Sequence, residues 1–140
     1  MLPIHLMKTL VGAALVMATI CCTPALAQEY PFDISKRDPA AMKSWREIIP
    51  AVFRRQPWIV NFNGTAGPID TVTIHSRVFY YGKVCIPHDC GGNFVAFLVA
   101  RGGGEAFGAL ASETMGVRHQ YFGAPDAEAR NQSWLRNTGQ

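Results

Sequence analysis

The sequence predicts an α+β domain: one antiparallel sheet of about five strands in a meander, flanked by N-terminal and C-terminal helices. Three observations carry this. Apolar residues recur at helical spacing between Asp38 and Val52, and again after Pro125. Between Trp58 and Phe122 the pattern breaks into short β-branched and aromatic runs separated by turn residues, the signature of strands joined by tight connections. The 113 residues that follow Ala27 suffice for one hydrophobic core and are too few for two.

Met1 to Ala27 reads as an export signal, with a charge at Lys8, an apolar run from Leu10 to Ile20 and the small-x-small cut pattern Ala25-Leu26-Ala27. Met7 is an alternative start to Met1 and leaves the mature chain unchanged. The apolar run is shorter than the roughly 20 residues of a membrane span, so the processed protein is expected to carry no membrane anchor. Lipid attachment at Cys21 or Cys22 wants a small preceding residue, whereas Ile20 precedes Cys21 and Cys21 precedes Cys22. Cleavage after Ala27 is expected to leave residues 28–140 as a single domain, with 28–37 a polar, loosely held arm.

Asp38 and Pro39 are an N-cap and a first helical residue, and Ala41, Trp45, Ile48, Ile49 and Val52 form an apolar stripe. Pro50 ends or kinks that helix near Ile49, because proline lacks the N–H and clashes with the preceding turn. Extended runs follow at Trp58–Phe62, Thr71–His75, Arg77–Val84, Asn93–Ala100, Ala106–Ser112 and Val117–Phe122. Asn93–Ala100 is almost wholly apolar, as a central strand covered on both faces would be. Arg101–Gly104 is a glycine-rich hairpin loop. Pro125 opens a short helix through Ala127, Ala129, Trp134 and Leu135 that packs back on the sheet. Trp45, Trp58 and Trp134 fall in apolar patterns and read as core.

The chain holds 13 basic and 10 acidic residues, a formal charge of +3 that falls to about +2 once Lys8 leaves with the signal. Without a Lys/Arg cluster this is no footprint for nucleic acid. Gly102 to Gly104 lack the strand-to-helix setting of a phosphate loop. Asn63-Gly64-Thr65 and Asn131-Gln132-Ser133 match the glycosylation pattern but read as turn and helix polar residues. With no carboxylate pair, serine–histidine constellation or HExxH motif, the chain is not expected to be an enzyme or to need a cofactor or metal.

One stretch is not explained by building a sheet: Cys85-Ile86-Pro87-His88-Asp89-Cys90-Gly91-Gly92-Asn93. Cysteines in an exported chain pair most simply as a disulfide. A ring this small adds only about 2 kcal/mol of stability by chain entropy, so its larger effect is to hold one shape. Pro87 restricts Ile86 and itself, and His88 and Asp89 are presented on a rigid projection. Three other readings stand beside this one. The bridge merely tidies a hairpin; Cys85, His88 and Cys90 are zinc ligands, with only His75 and His119 as distant further candidates; or a cysteine is a nucleophile with His88 as its base.

The run Cys85 to Gly91 resembles the signature of the inhibitor-of-vertebrate-lysozyme (Ivy) family, usually Cys-Lys-Pro-His-Asp-Cys-Gly. The likeness extends to Pro57-Trp58-Ile59-Val60, Thr71-Val72-Thr73-Ile74, the apolar strand to Ala100 and Gly108-Ala109-Leu110, and so covers most of Pro57–Phe122. The resemblance implies a periplasmic protein of a Gram-negative bacterium, defending its wall against innate immunity. It implies that the Ile86-Pro87-His88-Asp89 loop enters the cleft of a c-type lysozyme, that His88 meets the catalytic carboxylates, and that a homodimer can form. A regulator of the cell's own lytic transglycosylases, or another periplasmic binding module, is the alternative. Ile86 departs from the family's usual lysine and removes a charge from the loop. Vertebrate-type lysozymes are strongly basic, so a mature inhibitor near +2 gains nothing from overall attraction.

Overall fold

The structure is a computed structural model that describes residues 27–132 and residue 135. Residues 1–26, on which the expected export signal falls, residues 133 and 134, which include Trp134, and residues 136–140 lie outside the described residues.

The chain opens with a 3₁₀ turn, Pro31–Asp33, and a four-residue helix α1 (Ile34–Arg37). The loose arm expected for 28–37 is therefore ordered from Pro31 onward, because Pro31 and Ile34 are buried, Ile34 within the main core. The segment before the turn is also held, since the Glu29 carbonyl accepts from the Ile69 N–H at 2.8 Å.

Helix α2 (Pro39–Ile48) starts where its residues dictate: Asp38 Oδ1 accepts from the Ala41 N–H at 3.0 Å. It ends before Pro50, as expected. Val52, assigned to the apolar stripe, is instead in a 3₁₀ turn, Ala51–Phe53, and is 74% exposed, while Phe53 takes the buried place. The second Asp38 oxygen accepts from the Tyr80 hydroxyl at 3.0 Å and the Gly102 N–H at 2.7 Å. Burial acts to raise the Asp38 pKa, but the Gly102 and Ala41 N–H groups, Tyr80 and Arg101 outweigh it and hold the carboxyl below its ordinary value. A depressed carboxylate stabilises the fold above its unfolded pKa, and that contribution fades as pH falls through the folded value. Asp38→Ala is expected to cost about 1–2 kcal/mol at pH 7. Urea denaturation should show the gap from wild type narrowing in acid.

Trp58–Phe62, expected as an extended run, forms no strand; its first residues belong to a helical turn, α3 (Pro57–Val60). A short apolar run does not distinguish the two, and here proline at the first helical position decides. Six strands follow among the described residues: β1 (Thr65–Ala66), β2 (Asp70–Ile74), β3 (Arg77–Ile86), β4 (Asp89–Ala100), β5 (Ala106–Ser112) and β6 (Val117–Phe122). All pairings are antiparallel. From β2 to β6 the strands form a meander, and β1 and β2 share the same side of β3, β1 at its end and β2 at its beginning. A last helix, α4 (Ala127–Arg130), follows. No helix among the described residues is long and apolar enough to cross a membrane.

Alternation along β4 splits the core. Val95, Phe97 and Val99 face the helices, packing with Trp45, Ile59, Phe62, Leu110 and Phe122. Ala96, Leu98 and Ala100 face the other way, with Ile74, Phe79, Phe107, Ala129 and Leu135. Trp45 joins the layers: its ring lies 5.1 Å from Phe62 and 6.2 Å from Phe97, and its Nε1–H donates to the Ile59 carbonyl at 2.8 Å. Trp45 and Trp58 are both core residues.

At one end of the sheet the β2–β3 turn holds α4. His75 and Ser76 both have positive φ, 51° and 61°, as a two-residue type I′ turn requires. His75 Nε2 lies 2.5 Å from Asp126 Oδ2 and 3.7 Å from Glu128 Oε2, and His75 Nδ1 lies 3.7 Å from Glu105 Oε1. The bond to Asp126 raises the His75 pKa against a smaller opposing effect of desolvation, and Glu105 and Glu128 add to the rise. The Ala129 N–H, and then His75, lower that of Asp126 despite partial desolvation. The contact is thus lost as pH rises through the raised histidine value, or falls through the lowered aspartate value. Protection of the α4 amides, taken relative to their intrinsic exchange rates, is expected to be greatest between those limits, and in His75→Gln it should no longer fall on the alkaline side.

Candidate functional site

The candidate site is the far end of the same sheet, where β3 turns into β4. Both strands run further than expected, so the projection is a tight hairpin rather than an open loop. Ile86 pairs with Asp89, leaving only Pro87 and His88 at the corner. Proline at the first corner with positive φ at the second is the pattern of a type II turn. The second corner normally takes glycine or asparagine, yet here it is His88, with φ 67°. Left-handed backbone costs an L-residue about 1–2 kcal/mol, so an exposed histidine is held where glycine would be easier. Pro87, His88, Asp89 and Cys90 are exposed and Ile86 is half-buried.

A type II turn splays its strands, and the ladder breaks at once. Cys85 pairs with Phe94 while Ile86 pairs with Asp89, so Cys90, Gly91, Gly92 and Asn93 stand opposite no residue of β3. This bulge turns Asn93 inward. Asn93 and Ser112, each 1% exposed, are the two buried polar side chains among the described residues. Asn93 Nδ2 donates to Asp89 Oδ2 at 2.7 Å, while its Oδ1 accepts from Ser112 Oγ at 2.6 Å and from the Thr114 N–H at 3.2 Å. Asp89 is thereby tied through the sheet to the β5–β6 turn. Sequence reasoning assigned Asn93 and Ser112 no role; the one available signal was an amide opening an otherwise apolar strand.

The bridge expected between Cys85 and Cys90 is not formed: both are free thiols, Cys85 buried and Cys90 exposed, within hydrogen-bonding reach of each other. Burial, and then the Cys90 thiol, push the Cys85 thiol up to about 12. That disfavours the thiolate at Cys85, the form a nucleophile needs. The backbone behind Cys85 is also fixed, because a β-carbon on Gly64 would collide with the Cys85 carbonyl oxygen. His75 is at the opposite end of β3, His119 meets the Tyr121 ring edge-on at 4.5 Å in β6, and no group of three or more His, Cys, Asp or Glu among the described residues is placed to hold a metal ion.

No known family model matches the chain. Among curated proteins it is similar to the inhibitor of vertebrate lysozyme of Pseudomonas aeruginosa, with 27% identity over 92 residues, or 63% of this chain and 60% of that protein. An uncharacterized protein of the same species is 28% identical over 99 residues, 66% of this chain and 64% of the relative. One from Yersinia pestis is 25% identical over 76 residues, 54% and 46% respectively. The chain is therefore a distant relative of Ivy-like proteins, and the matches span from about half to just under two thirds of those relatives' lengths.

Proposed function

We propose that this chain is an exported inhibitor of c-type lysozyme that blocks the catalytic cleft with its Ile86–Asp89 tip. The observation that carries the reading is His88, exposed at the apex of a two-residue hairpin, in a backbone conformation that disfavours it, on a tip braced by a buried amide. Function explains such a placement better than folding does. The named lysozyme inhibitor among the relatives supports the same target class.

A lysozyme cleft holds one protonated carboxylic acid and one ionised carboxylate. A neutral imidazole donates to one and accepts from the other, and an imidazolium donates to both. Either form fills the space that a sugar must occupy, and preorganisation of the tip lowers the ordering cost of binding. In an oxidising periplasm the neighbouring Cys85 and Cys90 thiols close to a disulfide, which stiffens the tip further. Ile86 replaces a lysine's charge with an apolar contact.

The deciding experiment is lysozyme-driven lysis of bacterial cell walls, followed by turbidity, with the protein oxidised or reduced. Inhibition that weakens on reduction is expected. No inhibition of a c-type lysozyme in either state would overturn the reading; slowing of a lytic transglycosylase instead would move the same tip to the cell's own wall enzymes.

A further inference from the structure

The buried Asn93 amide joins two surface elements, and only one has been given a function. The other is the β5–β6 turn. Glu113, in that turn, donates its N–H to the Gly92 carbonyl at 2.8 Å, and its side chain lies down on Gly92: a methyl group placed there would stand 2.7 Å from Glu113 Oε2. The carboxylate is exposed and takes part in no ion pair among the described residues. Lys83, the cation two positions before Cys85, lies over the Phe94 ring at 4.8 Å. Through Gly92, Thr114 and Asn93, the turn is held in register with Asp89. Two carboxylates, Asp89 and Glu113, thus occupy one end of a chain whose formal charge is +3.

We propose that the β5–β6 turn is a second prong of the binding surface, with Glu113 contacting the basic rim of the lysozyme cleft that His88 enters. This rests on the inhibitor reading above. It also accounts for how a basic chain approaches a basic partner. Association depends on local complementarity between the surfaces that meet, and a rim charge acts mainly on the rate of encounter. The glycine at 92 leaves room for the Glu113 side chain to lie against the hairpin, and the bulge that frees Asn93 to turn inward also brings Gly92 under Glu113.

The test is association and dissociation of the full mature protein with a c-type lysozyme, by surface-based kinetics at low and high salt. Glu113→Lys is expected to slow association at least about 5-fold at low salt, with the difference shrinking at high salt. Gly92→Ala moves the carboxylate without changing the charge, and is expected to slow association by a smaller factor. Glu128→Lys makes the same charge change at the opposite end of the sheet and should leave the rate near that of wild type. Wild-type rates in both Glu113→Lys and Gly92→Ala would overturn the second prong and leave His88 standing. An equal slowing by Glu128→Lys would also overturn it, since net charge alone would then explain the effect. A wild-type protein that binds no c-type lysozyme would overturn the inhibitor reading and this inference together.

Discussion

His88→Ala is expected to weaken inhibition of a c-type lysozyme by roughly 30- to 1,000-fold, the span of a 2–4 kcal/mol hot spot at the centre of an interface. The imidazole is the side chain at the apex of the hairpin, so in the proposed complex it lies deepest and is the most fully desolvated. Removing it loses hydrogen bonds to charged or acidic groups, worth about 1.5–3 kcal/mol each, and leaves a cleft carboxylate buried without its partner. A second substitution separates this from folding. His88→Gly suits the left-handed corner at φ 67° and relieves its steric cost, although glycine also loses more chain entropy on folding. Its stability should stay within about 1 kcal/mol of wild type, while inhibition falls as far as in the alanine variant. Turbidity assays paired with thermal melts check both. Unchanged inhibition in either variant removes His88 from the mechanism.

The parts of the fold that were legible in the sequence are those set by local chemistry or strict period. Asp38-Pro39 with its stripe placed α2 to within a residue or two, and the apolar run to Ala100 marked the central strand. Failures came where distant contacts decide. Nothing local states that Ile34 will reach the core, or that Phe53 rather than Val52 will turn inward after Pro50. Pro57–Val60 is too short for a period to identify. A turn near Pro87 was legible from the proline and the glycines that follow it, but the strands run into the stretch that was read as a projecting loop and leave only Pro87 and His88 at the corner. The bracing of the tip was not legible, because it depends on a break in register. Only when Cys85 is seen to pair with Phe94, and Ile86 with Asp89, does Asn93 become a buried linker rather than the first residue of a strand.

That linker is where the stability of the fold and the shape of the tip are the same quantity. Asn93→Leu keeps the branching and the number of heavy atoms and removes three hydrogen bonds at once: the donor to Asp89 and the acceptor for Ser112 and the Thr114 N–H. Thr114 and Asp89 are exposed, so their freed groups recover water; Ser112 is 1% exposed and does not. Its hydroxyl still accepts from the Met115 N–H at 3.3 Å but has lost the acceptor for its own proton. An unsatisfied buried group costs about 1–3 kcal/mol, and loss of the bond to the Asp89 carboxylate adds about 1 kcal/mol. Leucine's extra burial offsets part of this, so a net loss of about 2 kcal/mol is expected, a fall of roughly 10 °C in Tm. The effect on inhibition should exceed what that loss alone implies. At a temperature where the variant is still folded, Asp89 and the β5–β6 turn are no longer locked together, and the ordering cost of binding rises. Inhibition measured well below both melting temperatures is therefore expected to weaken about 10-fold. Asn93→Leu that melts early but inhibits as wild type would show that the amide serves the sheet and not the tip.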